Sequence, residues 1–562
     1  MARAERGLTN ASDTNSVEAG GAGPRPHPLA PSPTTKGGVR TMRATGGCSV
    51  RARFPLPLRG GDQGERVVRD REATRGWARP AGLLLLAILS LAGYIAIHPL
   101  STNGLHHPAG VAVAQLALAI PYGLACWWVI AGPPPQHRRI QRAEWIIVLG
   151  AALAFFAVVF PLWPSLSGDP YRYVWDARVL AHGYNPLALA PESPLLAHLR
   201  DGVIYPHIYW VHVPTIYPPA AQALYLLAYL IAPDNVLAIK AEMVTAVAMT
   251  AWLLIKYLRV RGQDPLRVIV WLWCPLVVVE LGLDGHVDAA AIAVWLAALL
   301  LAERSKQPWA RGAVGALLGV ATLIKLYPAL FLLALGRRND RWLYVAFGAT
   351  LALGYLPFLQ GGVPAFGFLG VYAGDTQSYG ALLFCLRNLF ALIGVPAITV
   401  QVVVAVVAAL VAGGVVWARR RGRLAEGVAL FILLVLWLAL TPHLLPWYVT
   451  ALAPLCALYL RLPTRHPGAT LTASLWLGVC LMPAFNIAFD KAFRNLEWLY
   501  AAIYIAVALS AMAGLLLYWL RHGASERRKD TDYGYRRNNA ADGADDAAVA
   551  TRAIHREYDA LQ

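Results

Sequence analysis

WIIVLGAALAFFAVVFPLW (145–163), followed at once by PSLSGDPYRYVWDARV (164–179), is the passage on which the reading of this chain turns. The first part is an unbroken apolar run of the length a helix needs to cross a bilayer, which takes ~20 residues at about 1.5 Å each. The second part sets Asp169, Arg172, Asp176 and Arg178 directly at its mouth. Runs like the first recur at 81–97, 109–131, 266–282, 287–302, 341–358, 397–417, 425–441, 444–460, 469–487 and 499–520. They are rich in Leu, Ala and Val and do not alternate with polar residues, so they predict helices rather than a closed barrel.

Composition says the same. Of 562 residues, 57% are hydrophobic and only 14% are charged, with a mean hydropathy of +0.49. A soluble chain carries roughly 45–50% apolar and ~25% charged residues, and this one could not hide its surplus from water. Lipid is the solvent that fits. The net charge of +17 is not a nucleic-acid signal, because Arg and Lys gather in tails and short loops as the positive-inside rule requires. Cys48, Cys126, Cys274, Cys385, Cys456 and Cys480 form no CxxC pair and read as small hydrophobes, with no disulfide or metal framework.

Loop charges orient the runs. HRRIQR (137–142), ERSKQPWAR (303–311), RRNDR (337–341) and WARRRGR (417–423) are placed on the cytoplasmic side, which puts the long loop 164–217 outside. Two segments resist simple counting. In 218–258 two apolar runs are split by Pro-Asp-Asn (233–235), and the shorter, 218–232, is not expected to span. In 312–335 Lys325 and Pro328 interrupt the run, which predicts a broken or re-entrant helix, tolerated where protein covers it. The expected architecture is an all-α polytopic membrane protein of about 12 transmembrane helices with both termini inside. Its domains are a disordered basic tail over 1–79, a membrane domain over 80–520 with the extracytoplasmic loop 164–217, and a polar tail over 521–562.

With that topology the ionisable residues in apolar surroundings sort to one face: Asp169, Asp176, His207, His212, Asp284, His286, Asp288, Asp375, Arg387 and His443, with Lys325 deeper. Such groups are costly at membrane depth and face a cavity or one another. Asp169 before Pro170 predicts a helix start with Asp169 as N-cap. That helix would align Asp169, Arg172, Tyr173 and Asp176 on one side. The bland reading has Asp169 capping and Asp176 pairing with Arg172. The catalytic reading has a carboxylate taking a proton from an acceptor hydroxyl, with Arg172 or Arg178 holding a phosphate. Lys325 and Arg387 are further cation candidates, Arg387 on a short outer interfacial helix over 380–395. His286 between Asp284 and Asp288 reads first as capping and hydrogen bonding and next as acceptor-sugar contact. It is not assigned as a metal ligand. His443 reads first as an interfacial histidine beside an aromatic belt of Trp447 and Tyr448 and next as a sugar contact. His207 and His212, in a Pro- and Tyr-rich loop, read as packing or as shaping the substrate site.

The stretch GDPYRYVWDARVLAHGYNPLALAPESP (168–194), with YPH (205–207), VPTIYPPAAQ (213–222), GLDGHVDA (282–289), LIKLYP (323–328) and PHLLPWY (442–448), resembles membrane glycosyltransferases of the C-type superfamily. It is most similar to the polyprenyl-phosphate-mannose-dependent mannosyltransferases around glycosyltransferase family 87. The resemblance implies an inverting transfer of a hexose such as mannose from a polyprenyl-phosphate-linked sugar donor. The acceptor it implies is an extracytoplasmic glycolipid or glycan, at the cell membrane. It also implies an acid in the first large outer loop as base, a position matched by Asp169, with Asp176 the second catalytic candidate. Many relatives carry two adjacent acids there, and here the first is Gly168, which sets metal-dependent versions of the mechanism in question. No cofactor is assigned, a divalent metal is left open, and no nucleic-acid partner is expected. The rival class is a transporter or a lipid or glycan flippase, which should show paired interrupted helices in two halves. Only the interruption at 325–328 is visible.

Overall fold

A computed structural model describes residues 61–102, 108–359, 367, 381–441, 443–460, 469–484, 510 and 513. Residues 1–60 and 514–562, Asp375 and nearly all of the run 499–520 lie outside the described residues, whereas 61–79 of the expected first tail belong to helix Gly61–Thr102. Contacts divide the chain into two units, 1–65 and 66–562, and the helices that build the site all belong to the second.

Among the described residues every regular element is helical. Five helices are long and apolar enough to cross a membrane: Trp77–Leu100, Ala109–Ala131, Arg138–Val159, Val236–Val260 and Ala397–Arg420. A sixth span arises if Pro265–Leu272 and Pro275–Leu283, bent by 56° at their junction, count as one. Shorter apolar helices occupy Pro219–Ile231, Pro308–Ile324, Glu426–Leu440 and Thr472–Leu481. The described residues are thus all helical and compatible with a polytopic membrane protein, with fewer membrane-length helices among them than the twelve crossings expected. Helix Ala397–Arg420 turns Ile398, Val402, Val406 and Leu410 outward, an apolar face suited to lipid tails.

Both irregular segments are interrupted where their sequences predict. Helix Pro219–Ile231 has 13 residues, about 20 Å of helix, against the ~30 Å of a hydrocarbon core. It ends where Asp234 takes φ 58°, and Asn235 caps the next helix by accepting from Leu237 N at 2.9 Å. Helix Pro308–Ile324 stops at Lys325, whose backbone is extended (φ −146°, ψ 138°). A 3₁₀ turn over Tyr327–Leu330 and a short helix over Phe331–Leu335 follow. Pro328 supplies no backbone N–H and cannot continue the ladder. Gly315 and Gly319 let helix Pro308–Ile324 lie directly on helix Arg341–Tyr355: a Cβ on Gly315 would meet the Leu343 carbonyl, and one on Gly319 would meet Thr350. This small-xxx-small spacing is how helices approach closely where no hydrophobic effect drives them together.

Arg178, on the helix that opens the loop, ties the loop's middle to the chain that follows it. Helix Asp169–Ala181 packs on helix Pro219–Ile231. Arg178 reaches Asp234 at 2.7 Å, Asp201 at 2.5 Å and the Leu199 carbonyl at 2.8 Å. Burial raises the Asp201 carboxyl. The Arg178 guanidinium and the N–H groups of Tyr205 and Ile204 outweigh it and hold Asp201 at about 2.

Candidate active site

The chain enters the loop from helix Arg138–Val159, whose terminal carbonyls need donors. Lys240, buried on helix Val236–Val260, supplies them: its Nζ donates to Phe160 O at 2.6 Å and Leu162 O at 2.5 Å. Asp284 Oδ1 then accepts from Ser165 N at 2.8 Å and Leu166 N at 3.2 Å. Two charged groups from distant helices thus place the residues immediately before Asp169.

Helix Asp169–Ala181 begins one position earlier than expected. Gly168 is the N-cap, Asp169 is the first helical residue, and its own N–H is bonded to Ser167 Oγ at 3.1 Å. The expected Asp169 cap does not form, so the carboxylate is released from the backbone and turns to His286, whose Nδ1 lies 3.6 Å from Oδ2. Gly168 is there for space. A Cβ would sit 2.6 Å from the Tyr209 ring and 2.7 Å from the His207 carbonyl, so a second acid has no room at this position.

His286 is fully buried and stacks on Trp447 with ring centroids 3.8 Å apart and an interplanar angle of 13°. Its Nε2 lies 3.6 Å from Glu280 Oε2. Glu280 belongs to the segment Val278–Leu283, wound as a π-helix, a winding that recurs at functional sites. Gly285, with φ 74°, turns the chain after it, and a Cβ there would lie 2.9 Å from Lys240 Cγ. Asp288 opens helix Asp288–Arg304 and accepts from Lys325 Nζ at 3.0 Å. Lys325 also lies 4.6 Å from the Tyr448 ring and 5.7 Å from Tyr217.

One cluster therefore gathers Asp169, Asp284, His286, Asp288 and Lys325, with Glu280, Tyr217 and Trp447 added. Within it Asp169 is the accessible carboxylate: its side chain is 27% exposed, against 1% for Asp288 and 0% for Glu280. Burial raises its proton affinity. The His286 imidazole beside it, the charge of Lys325 and the Tyr217 hydroxyl outweigh burial, so it sits below the ordinary carboxyl value. Glu280, Asp284 and His286 also offer ligand atoms all within 4.8 Å of one another, the one His/Cys/Asp/Glu grouping of metal-binding spacing among the described residues.

The other expected site residues lie elsewhere. Asp176 is fully buried, accepting from Arg172 Nε at 2.8 Å and Gln222 Nε2 at 3.1 Å. Arg172 spends its remaining N–H groups on the carbonyls of Trp210 and Val213. Tyr173 stacks on Tyr225 with centroids 4.3 Å apart. His207 is exposed and stacks on Tyr171, while His212 is exposed beside Trp210. Arg387 is partly buried on helix Ala381–Ala391, which packs on Ala397–Arg420 and Glu426–Leu440. His443 is buried, its carbonyl accepting from Thr441 Oγ1 at 3.2 Å. The aromatic belt expected at Trp447 and Tyr448 is instead buried wall, because the rings cover His286 and Lys325. Glu280 and Lys240 escaped the sequence reading. The one signal for Glu280 was a lone acid inside an apolar run.

Against known proteins, residues 81–339 match the model of the alpha-(1->6)-mannopyranosyltransferase family, N-terminal domain. That stretch, just under half of the chain, is similar to this mannosyltransferase family. It holds the loop 164–217 and all of the cluster except Trp447 and Tyr448, and the likeness to family-87 enzymes read from the motifs stands with it. No curated protein and no solved structure matches the chain. The mannosyltransferase likeness supports glycosyl transfer as the activity, with a sugar donor and a glycan or lipid acceptor at a membrane.

Proposed function

We propose that the protein moves a hexose, mannose by this likeness, from a polyprenyl-phosphate donor to a glycolipid or glycan acceptor on the extracytoplasmic side, with inversion and with Asp169 as general base. The observation that carries this is the lone accessible carboxylate at the mouth of a buried cluster, held ionised beside Lys325. In the step, an acceptor hydroxyl oxygen attacks the anomeric carbon as its proton passes to Asp169. The bond from that carbon to the phosphate oxygen breaks, and polyprenyl phosphate leaves with the electron pair. Lys325 is the cation for the leaving phosphate, steadied by Asp288 and two tyrosine rings. Arg172 and Arg178 serve the loop's architecture in this reading, since their donors are engaged within it. Asp176 is likewise a structural partner of Arg172.

The test is Asp169→Asn in membranes given labelled polyprenyl-phosphate mannose. Transfer is expected to fall by about 10²–10⁴-fold, the usual worth of a general base, with expression and donor binding kept. Full transfer by this variant would remove Asp169 from the role. Movement of donor across the membrane with no new glycosidic bond would replace the enzyme by a transporter.

A further inference from the structure

Behind His286, on the side away from Asp169, lies a set of buried polar atoms. Both carboxylate oxygens of Glu280, Oδ2 of Asp284 and Nε2 of His286 make no well-formed hydrogen bond, and all three residues are fully buried. The neighbouring Gln115 amide interacts with the Glu280 side chain but is not within good hydrogen-bond geometry of it. The nearest lysine, Lys240, is spent on the carbonyls that end helix Arg138–Val159. Leaving one such buried group unpaired costs about 1–3 kcal/mol, and more if it is charged, so a folded protein holding several in one place has a partner for them. Two carboxylates and an imidazole in one place favour a cation as that partner.

We infer that Glu280, Asp284 and His286 bind a divalent first-row cation of the Mn²⁺ or Zn²⁺ class. The donor set is one nitrogen and two carboxylates, which suits such ions and disfavours soft ones. Ligand atoms around one ion with bonds of about 2.0–2.2 Å stand roughly 3–4 Å apart. Glu280 Oε2 and His286 Nε2 at 3.6 Å already do, and all three donors fall within 4.8 Å, so small side-chain shifts close the site. The surroundings agree. Metal-bound histidine characteristically points its other ring nitrogen at a carboxylate, and His286 Nδ1 faces Asp169. Asp284 is steadied through Oδ1 by two backbone N–H groups, which leaves Oδ2 for the ion. The ion would lock Nε2 as ligand and keep the proton on Nδ1, aimed at Asp169. The metal site stands whether or not Asp169 is the base, and only this last consequence rests on the function proposed above.

The test uses the full-length protein in lipid nanodiscs, stripped with a chelator and titrated with Mn²⁺ alone. One tight site per chain is expected in the electron paramagnetic resonance titration, with spin-echo modulation from an imidazole nitrogen. Glu280→Gln and Asp284→Asn should each weaken it by at least about 100-fold, while Glu192→Gln, an exposed loop residue, leaves it unchanged. Elemental analysis of protein purified without chelator should show about one Mn or Zn per chain. Wild-type protein that stays folded and binds no stoichiometric Mn²⁺ overturns the site, as does a site without the imidazole signal or with unaltered affinity in Glu280→Gln. Should those variants fail to fold, the wild-type titration and elemental analysis decide alone. Asp169→Asn that loses transfer yet keeps the metal separates this inference from the catalytic one.

Discussion

Asp169 is available for chemistry because its neighbour has no side chain and its helix starts one residue early. With Gly168 as N-cap, the Asp169 carboxylate is not consumed by the first turn and reaches the His286 ring. Asp176, two turns on and chemically identical, is saturated by Arg172 and Gln222. Lys325 carries the clearest prediction at this scale. A charge-assisted hydrogen bond is worth about 1.5–3 kcal/mol, so Lys325→Met should raise KM for the polyprenyl-phosphate donor roughly 10- to 150-fold, and Lys325→Arg should recover part of it. A donor titration against constant acceptor makes the check. A fall in kcat with unchanged donor KM would place Lys325 away from the phosphate.

Two elements do what uninterrupted helices could not. The break after Ile324 frees Lys325 from the helical ladder and turns it toward Asp288. The π-wound segment Val278–Leu283 presents Glu280 to the same imidazole that Asp169 faces. The scaffold behind the break is the close seam between helices Pro308–Ile324 and Arg341–Tyr355. Gly315→Leu must push that seam apart, and overpacking of this kind costs about 1–3 kcal/mol. A lower melting temperature in detergent is expected, whereas Gly348→Leu on the facing helix, where a Cβ meets nothing within 4 Å, should melt like the wild type. Equal melting of the two variants would mean that the seam is not a tight contact in the folded protein.

At the scale of the whole molecule the proposed chemistry depends on which side of the membrane receives loop 164–217. Val203 is a suitable reporter, 57% exposed within that loop, and the native Cys126, Cys274, Cys456 and Cys480 are buried. In intact cells, on a Cys385→Ser background that removes the partly exposed native thiol, Val203→Cys should react with a membrane-impermeant maleimide, with labelling absent from the Cys385→Ser parent. Labelling of Val203→Cys only after permeabilisation would put the loop in the cytosol, where the proposed extracytoplasmic transfer has no place.

Class, helical character and the candidate loop were legible in the sequence because hydropathy adds residue by residue along the chain, and because the motifs of 168–328 are local. Asp169, His286 and Lys325 stood out for the same reason. The sequence could not tell which carboxylates remain unsatisfied. Glu280 looked like a lone acid in an apolar run, Asp288 looked like a partner of His286, and Trp447 looked like an interfacial ring. Each was reassigned by helix packing that joins residues far apart along the chain. Burial and hydrogen-bond saturation are properties of that packing, so only the tertiary structure separated the aspartate open to a substrate from those closed around an imidazole and a lysine.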